Sequence, residues 1–121
     1  EYLFSYKVND ETYAVLTAEE YSAEDREYIK TVYYGIAKNF YKLLDIVGDS
    51  TENFKLEKIF KADFAAILIS AYEMLWVKDI PASVSINEAV ELSKVYSTAD
   101  GYKFVNGVLS GINKKLPNYN V

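Results

Sequence analysis

The side chains in this sequence that could do chemistry are carboxylates and phenols. Asp and Glu together number 18, and tyrosine 12, in a chain of 121 residues. Histidine and cysteine are absent. The commonest general base, the commonest metal ligand and any thiolate nucleophile are therefore missing. Paired carboxylates could still divide acid and base roles, but only at a forced separation. Acidic neighbours such as Glu19-Glu20 do not force one. An enzyme is not expected, nor a metal or a cofactor. The lack of cysteine also rules out disulfides, which fits a reducing compartment.

What remains is recognition. The formal net charge is -5 and Arg26 is the single arginine. A stand-alone nucleic-acid binder is normally basic, whereas an acidic protein suits a basic partner. Tyrosine, with its apolar body and polar tip, serves cores and interfaces alike. Half the residues are apolar, enough to bury a core in one domain spanning 1–121. The longest apolar run, Phe64 to Tyr72, is far short of a bilayer span. No membrane association and a cytoplasmic location are expected. Glu1 opens the chain without methionine or a charged-then-apolar leader, and the natural N-terminus is expected upstream, truncating the first helix.

One dipeptide conflicts with its surroundings. Asn106-Gly107, inside DGYKFVNGVL, is a strong hairpin signal. Yet Phe104, Val105, Val108, Leu109 and Ile112 recur at helical spacing. A glycine inside a helix costs about 1 kcal/mol relative to alanine. The expected offset is steric: a neighbouring helix approaches closely at Gly107, and Asn106 bonds across that contact. A simple packing requirement with no ligand is the alternative for both residues.

The elements that must position these groups are helical. Tyr2, Phe4, Tyr6 and Val8 alternate as a strand would, and 9–21 reads as a loop or short helix. Ser22 and Asp25 form an approximate capping box. A long apolar stripe follows, from Ile29 through Val32, Ile36, Phe40 and Leu43 to Val47, with Gly48 at the position of a C-terminal glycine. A second helical stretch carries Leu56, Ile59, Phe64, Ile67, Leu68, Ala71 and Leu75. It is apolar over most of its circumference near 64–72, which predicts the centre of the core. It ends by Asp79-Ile80-Pro81. Val84, Ile86, Ala89, Val90 and Leu92 mark another amphipathic helix. Thr98 or Asp100 caps a last one, which runs to Lys114-Lys115 and stops at Pro117. The fold class is all-α.

Two motifs in order carry a family resemblance. IPASVSINEAVELSKVY (80–96), then KFVNGVL (103–109), preceded by ILISAYEML (67–75), resembles the C-terminal half of NusB-family transcription antitermination proteins. The likeness is strong over 67–112 and extends toward residue 22 through the long helix and Leu44-Asp45. It implies two small helical bundles packed together. It also implies that 1–8 ends the first helix, and that 55–77 is two helices breaking near Phe60 to Ala62.

The resemblance further implies binding of boxA-type single-stranded RNA in nascent ribosomal RNA transcripts. The implied protein partners are the ribosomal protein NusE and an RNA polymerase antitermination complex. Carried over by position, Lys103 would meet phosphate and Phe104 would stack on an unpaired base. Asp100 and Gly101 would shape the turn, with Asp100 accepting a hydrogen bond. Phe4 and Tyr6 are further aromatic candidates. Glu57 and Asp63 would face NusE, acid against base. Bland alternatives stand beside each: Phe104 in the core, Asp100 as a helix cap, Lys103, Glu57 and Asp63 as solvated surface charges.

Three departures from the family pattern are visible. Family members carry an arginine-rich segment ahead of the first helix, and no basic cluster stands near Glu1. Leu68 occupies a position usually taken by arginine. Ser110-Gly111 replaces a more helix-favouring continuation, which predicts a looser end to the last helix. Competing readings are a NusB-like interaction scaffold without RNA binding and the NusB-like module of a ribosomal RNA cytosine methyltransferase. The latter needs a Gly-rich methyl-donor domain that these residues lack. Some relatives dimerise over the RNA surface, so a homodimer is a further expectation.

Overall fold

The computed structural model describes residues 23–51 and 58–119. The expectations for 1–8, for 9–21, for Ser22 and for a short helix ahead of Phe60 lie outside those residues, as do Phe4, Tyr6 and Glu57. All regular structure among the described residues is helical. The chain divides into two compact units, Glu1–Phe40 and Tyr41–Val121.

The described part of the first unit is helix α1, Ala23–Lys38, with Glu24 and Asp25 in its first turn and Lys38 in its last. These charges oppose the helix dipole at both ends. The apolar stripe predicted as one helix is in fact two. Helix α2, Phe40–Asp49, starts after a one-residue interruption at Asn39. The Asn39 side-chain amide donates to the Gly35 carbonyl at 2.9 Å, where the Asn39 backbone N–H also donates at 3.1 Å. Such side-chain competition for a helix carbonyl is why asparagine disfavours helix interiors. Gly48 is not the residue that ends α2; the helix runs one residue past it.

The second unit adds α3 (Lys61–Trp76), α4 (Ala82–Tyr96) and α5 (Gly101–Lys115). Each of these three packs on the other two. Helix α3 begins where a break was expected, with Phe60 extended ahead of it. It is the central helix: Phe64, Ile67, Ala71 and Leu75 are almost wholly buried. From the α2 and α5 sides, Leu43, Val47, Val105, Leu109 and Ile112 complete the core. Burying an aliphatic or phenylalanine side chain of this kind contributes about 1.5–3 kcal/mol. Leu68, at the position usually held by arginine, is buried too.

Among the described residues, Asp63, Ser70, Glu73, Ser85 and Ser93 are buried along the α3–α4 seam, and Thr51 is buried just after α2. Ser85 Oγ donates to Glu73 Oε1 at 2.6 Å, which leaves Ser70 Oγ to donate to Ser85 at 2.8 Å. Further along the seam, Ser93 Oγ donates to Asp63 Oδ1 at 2.7 Å. Pro81 opens α4, and its carbonyl accepts from Val84 and Ser85. A 3-10 turn, Leu116–Asn118, contains Pro117 and ends α5 as predicted. Lys115 Nζ reaches the Asp49 carbonyl at 2.9 Å, satisfying the exposed end of α2.

Candidate nucleic-acid interface

The start of α5 is set by its first residue. Gly101 is buried, and a Cβ there would meet Asp63 Oδ2 at 2.8 Å, Asp63 Oδ1 at 2.9 Å and the Ser97 hydroxyl closer still. Only glycine fits. The Gly101 N–H donates to the Thr98 carbonyl, closing the turn from α4. The first turn of α5 therefore rests on a carboxylate that Ser93 holds from α4.

Asp100 occupies the position before α5, yet its side chain makes no capping bond. Its carboxylate lies 3.4 Å from Lys103 Nζ instead. The expected cap is thus replaced by a surface ion pair, and Thr98 contributes its carbonyl. Lys103 is exposed. Phe104 is half-buried, at the edge of the apolar face formed by Val105, Val108, Leu109 and Ile112. Asp100, Gly101, Lys103 and Phe104 are brought together at one end of the second unit.

Two expectations are corrected. The partner-facing position that the resemblance implies for Asp63 does not fit its burial: it is 4% exposed and bonded to Ser93, so it supports the start of α5 from beneath. Its position in the first turn of α3 also favours a carboxylate there. Gly107 does not make the expected close helix contact within the described residues, among which a Cβ there would meet nothing within 4 Å. Asn106 is exposed beside it. The close approaches belong to Gly101 and to Gly111, where a Cβ would lie 3.1 Å from Ser50 Oγ. Helix α5 runs unbroken through Ser110-Gly111.

A second surface was not foreseen. Leu92, Val95 and Tyr96 are exposed on α4, and with Asn87, Glu88 and Glu91 they line an open groove. Large apolar residues rimmed by carboxylates on one helix face are a partner-binding feature. The signal was present in the sequence, since Leu92, Val95 and Tyr96 recur at helical spacing.

Among the described residues, no group of three or more acidic side chains is placed to hold a metal ion. Among them too, no helix is long and apolar enough to cross a membrane.

Comparison with known proteins identifies the family and the fold. The family model described as the NusB family matches residues 2–114. The chain is similar to the transcription antitermination protein NusB of Ruminiclostridium cellulolyticum, 40% identical over 99 residues, covering 82% of this chain and 68% of that protein. It is likewise similar to that of Bacillus pumilus, 40% identical over 93 residues, 77% of this chain and 71% of that protein. Among solved structures, a crystal form of T. maritima NusB superposes with a TM-score of 0.78 at 34% identity, covering 81% of this chain and 69% of that one.

Proposed function

Because the chain belongs to the NusB family of transcription antitermination proteins, we propose that it binds boxA-type single-stranded RNA of nascent ribosomal RNA transcripts together with the ribosomal protein NusE. It does so as a non-catalytic, cytoplasmic component of an RNA polymerase antitermination complex. The observation that carries the RNA half of this reading is the start of α5. An exposed cation, Lys103, stands beside the half-exposed Phe104 ring on a turn that Gly101 and Asp63 hold rigid. Single-stranded RNA is held by this combination of phosphate contact and base stacking. The net charge of -5 supports the protein half. A basic ribosomal protein finds Glu88 and Glu91 beside the exposed Leu92, Val95 and Tyr96 of α4.

The test is a titration of labelled boxA-type RNA, with and without NusE, at two salt concentrations. Binding that tightens with NusE and weakens on Phe104→Ala supports the reading. A NusE complex with no gain in RNA affinity points to the interaction scaffold instead. Failure to bind either ligand overturns it.

A further inference from the structure

Two lysines from different helices converge on one tyrosine ring. Lys94, near the end of α4, places its ammonium 5.1 Å from the centre of the Tyr102 ring. Lys103, the next residue after Tyr102 on α5, places its own at 6.0 Å. Both lie within the range at which a ring face attracts an ammonium. Tyr102 is half-buried. Each lysine also pairs with a carboxylate three residues before it, Lys94 with Glu91 at 3.2 Å and Lys103 with Asp100 at 3.4 Å.

None of these exposed contacts is needed to hold the fold. Surface ion pairs of this kind contribute about 0–1 kcal/mol. Their effect is on the lysines themselves, whose ammonium groups they bias toward the Tyr102 ring before any ligand arrives. A long side chain already ordered loses less entropy when it binds. The carboxylates also give way easily: a phosphate replaces each as the partner of its lysine, Asp100 turning to water and Glu91 to the α4 groove.

We infer that Lys94 and Lys103, both held against the Tyr102 ring, form a two-point phosphate clamp for single-stranded RNA that carries the interface from α5 onto α4. The inference rests on the RNA-binding reading above. Phe104 takes a base, Lys103 the phosphate beside it, and Lys94 a further phosphate of the same strand beyond Tyr102. The occupant is an RNA strand rather than a free phosphate, because Lys103 stands beside the half-exposed Phe104 ring, which takes a base that free phosphate lacks.

The salt dependence of RNA binding tests this directly. Each phosphate contact on a single strand adds about 0.7 to the slope of log affinity against log salt. Lys94→Ala is expected to lower the slope by about 0.7 and to weaken binding about threefold at low salt. The Lys94→Ala, Lys103→Ala double variant is expected to lower the slope by about twice as much. Lys78→Ala, an exposed lysine in the turn before α4, leaves the slope unchanged. Tyr102→Phe keeps the ring and the affinity, whereas Tyr102→Leu weakens binding. Lys94 is exposed, so its alanine variant folds, which circular dichroism verifies. Wild-type RNA binding with a Lys94→Ala slope equal to wild type overturns the clamp and leaves the Phe104 site standing. Inorganic phosphate competing as well as RNA at equal ionic strength overturns the strand as occupant. Absence of RNA binding in the wild type overturns both readings.

Discussion

The Ser93 hydroxyl donates to the Asp63 carboxylate at 2.7 Å, across 30 residues of sequence and inside the unit. Ser93 is wholly buried and Asp63 nearly so. The pair joins the first turn of α3 to the last turn of α4. The same carboxylate lies under Gly101, so one acid sets both the α3–α4 seam and the origin of α5. A buried charge is tolerated only when it is bonded.

Removal of one partner should therefore cost more than removal of a typical hydrogen bond. Ser93→Ala leaves a buried carboxylate without its hydroxyl, a loss of about 1–3 kcal/mol. The double variant Asp63→Leu, Ser93→Ala should be less destabilised than the sum of the two single variants, because the second change removes a group already orphaned. Urea denaturation of the four proteins gives the coupling energy. Additive losses would mean that the bond contributes nothing.

The glycines of α5 should respond in opposite directions. Gly101→Ala forces a methyl against Asp63 and Ser97, and overpacking of this kind costs about 1–3 kcal/mol. Ser97→Gly in that background removes one of the obstructing groups and should recover part of the loss. Gly107→Ala meets no other side chain or backbone among the described residues, in an exposed helix interior. It should stabilise by about 1 kcal/mol through helix propensity alone, seen as a higher melting temperature. If Gly107→Ala also weakens RNA or NusE binding, the glycine is there for a partner that approaches α5 closely.

Helical periodicity was readable because it depends on neighbours in sequence. The stripe at Val105, Val108, Leu109 and Ile112 predicted the buried face of α5, and the apolar run at 64–72 predicted the central helix. Family motifs reached further, placing the break near Phe60 that the pattern of apolar residues does not mark. Contacts between distant residues were not readable. Gly101, Gly107 and Gly111 look alike along the chain, and only tertiary packing distinguishes a glycine under a carboxylate from one facing water. Asp63 has the same difficulty. An acid in the first turn of a helix is normally solvated, and its burial depends on Ser93, which periodicity places only as a polar residue on α4. The division at Asn39 had a local cause in a side chain that bonds the Gly35 carbonyl, but an unbroken apolar stripe outweighed it.

The junction of the chain's last described residues with α2 should be visible in a pH titration. The Tyr119 phenol is pushed above its ordinary value, first by burial, then by the Asp49 charge and by its long hydrogen bond to Asp49 Oδ2 at 3.5 Å. In the unfolded chain it titrates near 10. The folded state holds the proton to higher pH, so this contribution to stability is whole below pH about 10 and is lost as pH rises through the folded value. The phenolate absorbance difference between wild type and Tyr119→Phe should have its midpoint above 10. Asp49→Asn should lower that midpoint without returning it fully, because burial is the largest cause and persists. A midpoint at the ordinary value in wild type would show that the phenol is solvated and the contact absent.

Charge and stacking at the start of α5 should separate cleanly. In the proposed RNA complex Lys103 meets a phosphate, a contact that depends on salt, and Phe104 stacks on a base, a contact that does not. Lys103→Ala should lower the salt slope of RNA binding by about 0.7 while leaving a residual affinity that persists at high salt. Phe104→Ala should weaken binding by about 1–3 kcal/mol at every salt concentration, with the slope unchanged. Phe104→Tyr retains a stacking surface and should restore most of the affinity, whereas Phe104→Leu restores packing against Val108 without restoring stacking. Equal affinities for the leucine and tyrosine variants would show that the ring serves the α5 core rather than the RNA. A slope change on Phe104→Ala would show instead that the whole turn had moved, taking Lys103 with it.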